Sequence, residues 1–217
     1  MNNNELPLSE QAYVEIEQQI ISQQLRPGTM ISEKVLCASI NLGRTPVREA
    51  LIRLEREGLV EIHARRGAMI TKIDLMQQLE LLEVRRPLQV LAAQLAAKRA
   101  TPLECETLKK YADAIREAAK EEDINAYLNI NREVHQLEVT SAHNIMLEAS
   151  LTLLQSMSRR FWFAFVRTQQ ETQQGANLHA RLLETIAEKD VIQSENNANA
   201  LVNFLEALTK KQIERSY

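Results

Sequence analysis

Residues 43–60 read GRTPVREALIRLEREGLV, and the organisation of the chain follows from how this stretch folds. The spacing predicts one helix with a marked start and stop. Thr45 is expected as the N-cap, and Pro46 as a first helical residue, where a missing N–H costs nothing. Gly58 is expected just past the last turn. Val47, Ala50, Leu51 and Leu54 fall at i, i+3, i+4 and i+7 and form one apolar face. Arg44, Arg48, Arg53 and Arg56 lie on the other side. Arg44 and Thr45 stand at the helix entrance, beside free backbone N–H groups and the positive end of the helix dipole. An apolar back and a cationic N-terminus suit a helix that enters the major groove of DNA. A solvated amphipathic helix with ordinary surface arginines has the same pattern, so the flanks must decide.

Upstream, residues 8–24 show helical spacing with Tyr13, Ile16 and Ile20 on one side, and LRPG at 25–28 ends that helix with turn chemistry. Ser32 can cap a short second helix through Ile40 that carries Val35 and Leu36 inward. Residues 41–43 form a tight turn. Helix, helix, turn, helix is the order of a helix-turn-helix unit. Downstream, residues 59–63 alternate apolar and polar, residues 64–67 make a basic turn, and residues 68–71 alternate again. Two short strands about such a turn predict a hairpin wing with Arg65 and Arg66 at its tip, within reach of a groove or a phosphate.

The 217 residues leave room for two small domains. Lysine and arginine number 26 and aspartate and glutamate 29, for a net charge of −3, which excludes a generally basic nucleic-acid binder. Residues 1–73 hold nine of each sign and are neutral, so DNA binding must come from local placement of arginines. Cys37 and Cys105 lie in apolar helical patterns without C-x-x-C spacing and are expected as buried free thiols in a reducing cytoplasm. No apolar leader opens the chain and no apolar run reaches membrane-spanning length, so a cytoplasmic protein is expected. Four of the five glycines precede residue 68, so the front of the chain turns often while the back is long helices.

Residues 75–99 are expected as a helix with Leu75, Leu79, Leu82 and Leu88 to Leu95 inward and a kink at Pro87. Thr101 and Pro102 open a second helix, to about Glu121, and Asp123 caps a third through Ala142. Asn144 begins a long fourth, containing Arg159, Arg160 and the cluster Phe161, Trp162, Phe163 and Phe165. Residues 169–175 are expected as a loop or frayed end, followed by helices at 177–188 and 190–213. The expected fold class is mainly α: a winged helix-turn-helix of three helices plus a small β-hairpin over residues 1–73, then an all-α bundle over residues 74–217.

The run LRPGTMISEKVLCASINLGRTPVREALIRLEREGLVEIHARRGAMI (25–70) resembles the winged helix-turn-helix domain of the GntR family of bacterial transcription regulators. The proline-glycine turn, the serine-glutamate pair, the RTPVREAL core and the wing agree in order and spacing. The resemblance implies DNA contacts from Lys34, Arg44, Thr45, Arg48 and Gly67, with Arg66 as a further candidate. Gly43 departs from the serine or threonine usual before the arginine. The pieces LLEVRRPLQVLAAQLAAKRAT (81–101), NINREVHQLEVTSAHN (129–144) and NLHARLLETIAEKD (177–190) resemble the FCD ligand-sensing domain of the FadR-like subfamily.

That resemblance implies a divalent metal, Zn, Ni or Mn by ligand type, held by Asn131, His135 and His179. A third histidine of the family would fall near Leu201, and the last helix has none, although Asn199 and Asn203 are nearby. Two readings stay open: a weak three-ligand site completed by water or a carboxylate, or a polar cavity lined by two histidines. Arg85 is implied to face the carboxylate of an effector, against the alternative of an ion pair with Glu83 or Glu138. Arg159 and Arg160 are further inward candidates, and Arg160 is taken with Arg85 as effector-binding. His143 reads as a turn or surface histidine.

The implied protein is a homodimeric regulator, expected to repress. It would bind a short palindromic operator in double-stranded DNA and respond to a small carboxylate effector. Rival expectations are a metal-free sensor of a larger ligand such as an acyl-CoA, a metal hydrolase using His135 and His179, and a protein-interaction bundle.

Overall fold

The computed structural model describes residues 6–121, 124–166 and 168–216. Its elements run α1 (Leu8–Ile21), β1 (Met30–Ile31), α2 (Glu33–Ile40), α3 (Arg44–Arg56), β2 (Val60–His63), β3 (Gly67–Ile70), α4 (Leu75–Arg99), α5 (Pro102–Lys120), α6 (Ile124–Ser141), α7 (Ile145–Phe165), α8 (Gln169–Ala187) and α9 (Val191–Ser216). They form two compact units. The first ends at Asp74 but also takes in Ser156–Ala164 of α7. The second holds Leu75–Gln155 and the residues from Phe165 onward.

In the first unit the apolar face of α3 is the core. Val47, Ala50, Leu51 and Leu54 are buried together with Tyr13, Ile16 and Ile20 of α1, Leu36 of α2, and Val60, Ala68 and Ile70 of the sheet. The start of α3 differs from expectation. Gly43 is the N-cap, without a side-chain cap, and Arg44 is the first helical residue. Pro46 therefore sits third, still in the first turn, where no N–H has an intrahelical acceptor to lose. Ser32 caps α2 through the Val35 N–H, but Val35 itself is 54% exposed and only Leu36 of the pair points inward. The hairpin is joined by a third strand that two residues of sequence do not reveal. The sheet order is β1-β3-β2, antiparallel, with Ile31 opposite Ala68 and His63 opposite Gly67. Gly67 has φ +106°, and a Cβ there would collide with the carbonyl oxygen of Ile31. β1 thus presses on a position that only glycine can fill.

In the second unit α5 packs on α6 and α8, and α4 packs on α9, α6 and α8. Thr101 and Glu104 form a capping box at the start of α5. Cross-ties follow the packing: Arg86 of α4 donates to Asn203 (2.7 Å) and Glu206 (2.8 Å) of α9, and Arg116 of α5 to Glu184 of α8 (2.8 Å). The inward line of α4 is not the leucine line. Leu82 is buried, but Leu91 is 40% exposed and Leu75, Leu79, Leu88 and Leu95 are only half-buried. Gln78, Arg85, Gln89, Ala92, Ala93, Ala96 and Ala97 face inward instead. Small residues let a neighbouring helix approach, and the polar ones sit where a leucine-weighted reading expects core.

Residues 169–175, expected as a loop, are the first turns of α8. Thr168 caps that helix through the Glu171 N–H, and Gly175 is buried within it. The cap and the packing on α5 outweigh a helix-interior glycine, which costs about 1 kcal/mol. The expected cap Asp123 lies outside the described residues. Both cysteines are free but half-buried rather than buried. Phe161 and Trp162 are buried, and His143 occupies a left-handed turn position beside Glu104. No helix among the described residues is long and apolar enough to cross a membrane.

Candidate nucleic-acid interface and buried polar cluster

The N-terminal end of α3, the start of α2 and the hairpin turn surround a cleft of about 560 Å³. Lys34, Arg44, Arg48, Arg65 and Arg66 line it, with Gly67 at the edge of the hairpin. Glu33 is the acidic member of the lining, and both of its carboxylate oxygens accept from Arg48 Nε at 2.9 Å. That contact leaves the two η nitrogens of Arg48 for another partner. Arg65 adopts φ +63° and Arg66 N–H donates to His63 C=O at 3.0 Å, which closes the basic turn. Of the residues expected to meet DNA, Lys34, Arg44, Arg48, Arg66 and Gly67 meet in this cleft. Thr45 is exposed at the helix entrance and is not part of the lining. Sequence reasoning passed over Glu33 as a partner of Arg48 and over Ile52 and Ile62, which expose apolar surface along the cleft. The serine-glutamate pair at the start of α2 is the available signal for Glu33.

The second unit holds a cluster of a different kind. Arg85 is 1% exposed, and its Nε donates to Gln89 Oε1 at 3.1 Å. Gln89 Nε2 donates to Glu138 Oε1, and Glu138 is wholly buried. Burial lowers the Arg85 pKa to about 10, with Glu138 opposing the shift, so the guanidinium stays charged at neutral pH. Burial raises the Glu138 pKa to about 7, with Arg85 and the Gln89 hydrogen bond opposing. Asn131 Nδ2 lies 3.2 Å from His179 Nε2, and the rings of His135 and His179 meet edge-on with centroids 4.7 Å apart. Burial, and then the Arg85 charge, pull the His179 pKa down to about 3. Arg85 Nη2, Glu138 Oε2 and His179 Nδ1 are buried with no hydrogen-bond partner among the described residues.

Asn131, His135 and His179 thus come together as expected, but the donor set does not fit a divalent cation. The position expected for a third imidazole is Leu201, 1% exposed. Asn199 and Asn203, the nearby amides, both accept from Arg86. Two imidazoles and a neutral amide remain, and the charge of Arg85 already disfavours a cation at His179. Among the described residues no three His, Cys, Asp or Glu side chains group as a metal site. The Arg85 alternative resolves toward Glu138, through Gln89, rather than Glu83. Arg160 has a separate setting. Its Nη1 donates to Thr71 Oγ1 (2.7 Å) and C=O (3.2 Å), and its Nη2 to Lys72 C=O (3.1 Å), all within the N-terminal unit.

The family descriptions "Bacterial regulatory proteins, gntR family" and "FCD domain" match residues 8–70 and 80–203. The chain belongs to the GntR family. The GntR match begins at α1 and ends at β3, while the FCD match runs from α4 into α9. Among curated relatives, the HTH-type transcriptional repressor RspR of Escherichia coli is 30% identical over 60% of this chain, and the match spans 58% of that repressor's length. The Nta operon transcriptional regulator of Aminobacter aminovorans is 34% identical over 66% of this chain and 67% of its own. The fold matches E. coli McbR/YncC with a TM-score of 0.80 at 19% identity, covering 96% of this chain and 99% of that one. It also matches a GntR regulator structure from Rhodococcus sp. RHA1 with a TM-score of 0.73 at 16% identity, covering 94% and 97%. The GntR and FCD domains and these relatives are those of transcription regulators, not enzymes, which removes the hydrolase reading.

Proposed function

We propose that this chain is a ligand-responsive transcription regulator that binds DNA as a homodimer, each N-terminal unit reading one half of a short near-palindrome. The cleft carries this reading. Five basic side chains from three elements converge at a helix N-terminus, in a stretch of chain that is neutral as a whole. Arg44 and Thr45 enter the major groove with the first turn of α3. Lys34 and Arg48 take phosphates, and Arg66 and Gly67 bring the hairpin turn to the flanking groove. Twofold symmetry of the protein maps onto the operator. Repression is the expected sign, as in the transcriptional repressor RspR.

The helical unit senses a small organic acid, which docks on the unpartnered Nη2 of Arg85 without a metal. Every member of the cluster is buried, which favours a small acid over an acyl-CoA. The acid acts by preferring one arrangement of the dimer, a population shift. The test is selection of duplexes from a random library with the full-length protein, followed by titration of the winner. A near-palindromic winner whose affinity falls steeply with salt, and falls roughly tenfold to a hundredfold in Arg44→Ala, is the expected result. A winner without symmetry, or one that Arg44→Ala binds normally, would sink the reading.

A further inference from the structure

The N-terminal unit is not built from N-terminal residues alone, because Ser156–Ala164 of α7 completes it. Two neighbouring arginines make the attachment. Arg159 Nη2 pairs with buried Glu17 of α1 at 2.7 Å, and Ser156 Oγ donates to the same carboxylate at 2.8 Å. Tyr13 O–H reaches Glu17 at 3.2 Å and Glu57, the C-cap of α3, at 2.9 Å. Arg160 holds a different place. Its fork takes Thr71 and the Lys72 carbonyl, just past β3. The Thr71 hydroxyl lies 2.7 Å from the carbonyl of Gly58 and 3.1 Å from that of Leu59. Those carbonyls belong to the short turn between α3 and β2, where Gly58 has φ +69°. One guanidinium therefore ties the exit of the hairpin to the turn that joins it to α3.

We propose that Arg160 is a positioning residue for DNA reading: it sets the angle between α3 and the hairpin, the two walls of the cleft. The inference rests on reading the cleft as the DNA surface. A glycine turn between a helix and a hairpin is a natural hinge, and it stops being one when its carbonyls and the far end of the hairpin share a hydrogen-bond network. Three acceptors in two directions suit a planar fork. An ammonium on a flexible stem cannot satisfy them in the same geometry. Among the described residues no ion pair offsets the burial of Arg160, which lowers its pKa to about 10, so the side chain is held by its hydrogen bonds.

The experiment compares full-length wild type with Arg160→Lys, Thr71→Val, the double variant, and Arg44→Ala. Affinity is measured for the duplex selected from a random library and for a scrambled duplex of the same composition, at fixed salt. Arg160→Lys should lower affinity for the selected duplex roughly tenfold, the loss expected for one charged hydrogen-bond set. Scrambled-duplex affinity should stay unchanged, because the phosphate-facing charges remain. Thr71→Val should shift the same ratio less, and the double variant should fall short of the product of the two. Amide exchange at Leu59 and Thr71, whose N–H groups donate to the Leu54 and Leu59 carbonyls, should quicken in both single variants. An unchanged ratio in a folded Arg160→Lys protein overturns the proposal, as does an equal loss on both duplexes. If that variant does not fold, Thr71→Val decides, and an unchanged ratio there overturns it too. Selected-duplex binding that survives Arg44→Ala overturns the cleft reading and the brace together. Loss in Arg44→Ala with none in Arg160→Lys overturns the brace alone.

Discussion

The cleft of the N-terminal unit and the cluster of the helical unit are both organised by arginine, in opposite surroundings. Arg44 and Arg48 are exposed at the cleft, while Arg85 is sealed among α4, α6 and α8. A pair of unit charges about 4 Å apart is worth about 1 kcal/mol in water and about 4 kcal/mol at the effective dielectric of a protein site. The cleft arginines therefore owe little to their protein neighbours and remain available to a polyanion. Arg85 depends on its neighbours, and any charge brought to it is felt strongly. One site is suited to capture, the other to discrimination.

Truncating the two arginines separates these regimes most widely. Arg85→Ala removes the charge that opposes the burial of Glu138 and leaves a cavity against α4, and truncating a large buried side chain to alanine usually costs about 2–5 kcal/mol. The expected outcome is a large fall in melting temperature, partly restored by adding Glu138→Leu, with operator affinity intact wherever the protein is folded. Arg44→Ala should do the reverse: lost operator affinity and an unchanged melt. If Arg85→Ala melts like wild type, the cluster is solvated and the contrast collapses.

Proton linkage gives the next largest effect. Glu138 has a folded pKa of about 7, raised from 4.5 by burial against the pull of Arg85. The folded state therefore holds a proton that the unfolded state loses. The stabilising contribution is full below about pH 4.5 and is lost as pH rises toward 7. His179 runs the other way: its folded pKa of about 3 makes it stabilising above pH 6.5 and costly as pH falls. The two oppose each other between about 4.5 and 6.5, so the wild-type profile alone is ambiguous. The difference between wild type and Glu138→Gln is not. The variant should gain on wild type by up to a few kcal/mol as pH rises from about 5 to 7, then track it in parallel. Denaturant melts across that range measure the difference, and parallel curves throughout would show that Glu138 titrates normally.

Legibility from sequence divides along the same line as the two sites. α3 and its hairpin are local objects: apolar spacing, Gly58 and the basic turn lie within a few residues of what they specify. Even there the cap was displaced, because threonine is the stronger N-cap by type, yet Gly43 has the extended backbone the position needs. The start of α8 was written in Thr168 and Glu171, three apart, but glutamine and glycine behind them looked like loop. The cluster around Arg85 was legible only in part. Its members sit on three helices, and the inward stripe of α4 carries Gln78, Arg85 and Gln89 where leucine was expected. The setting of Arg160 could not be read at all, since a basic doublet does not say which carbonyls it will meet.

The smallest expected effect is the sharpest test of the contrast, because it repeats one chemical change in the other setting. Glu33→Gln, like Glu138→Gln, swaps a carboxylate for an amide beside an arginine. At the cleft the pair is exposed, so its loss should cost no more than about 1 kcal/mol of stability and leave the melt nearly unmoved. The effect should appear on DNA instead. Removing a negative charge from a cationic cleft should raise affinity for scrambled duplex a few-fold at low salt and less at high salt. Freeing Arg48 from its fixed Nε contact should narrow the gap between selected and scrambled duplexes. A Glu33→Gln protein that loses as much stability as Arg85→Ala would mean that the cleft is a packed structural joint, and its arginines would then no longer be free to meet a phosphate backbone.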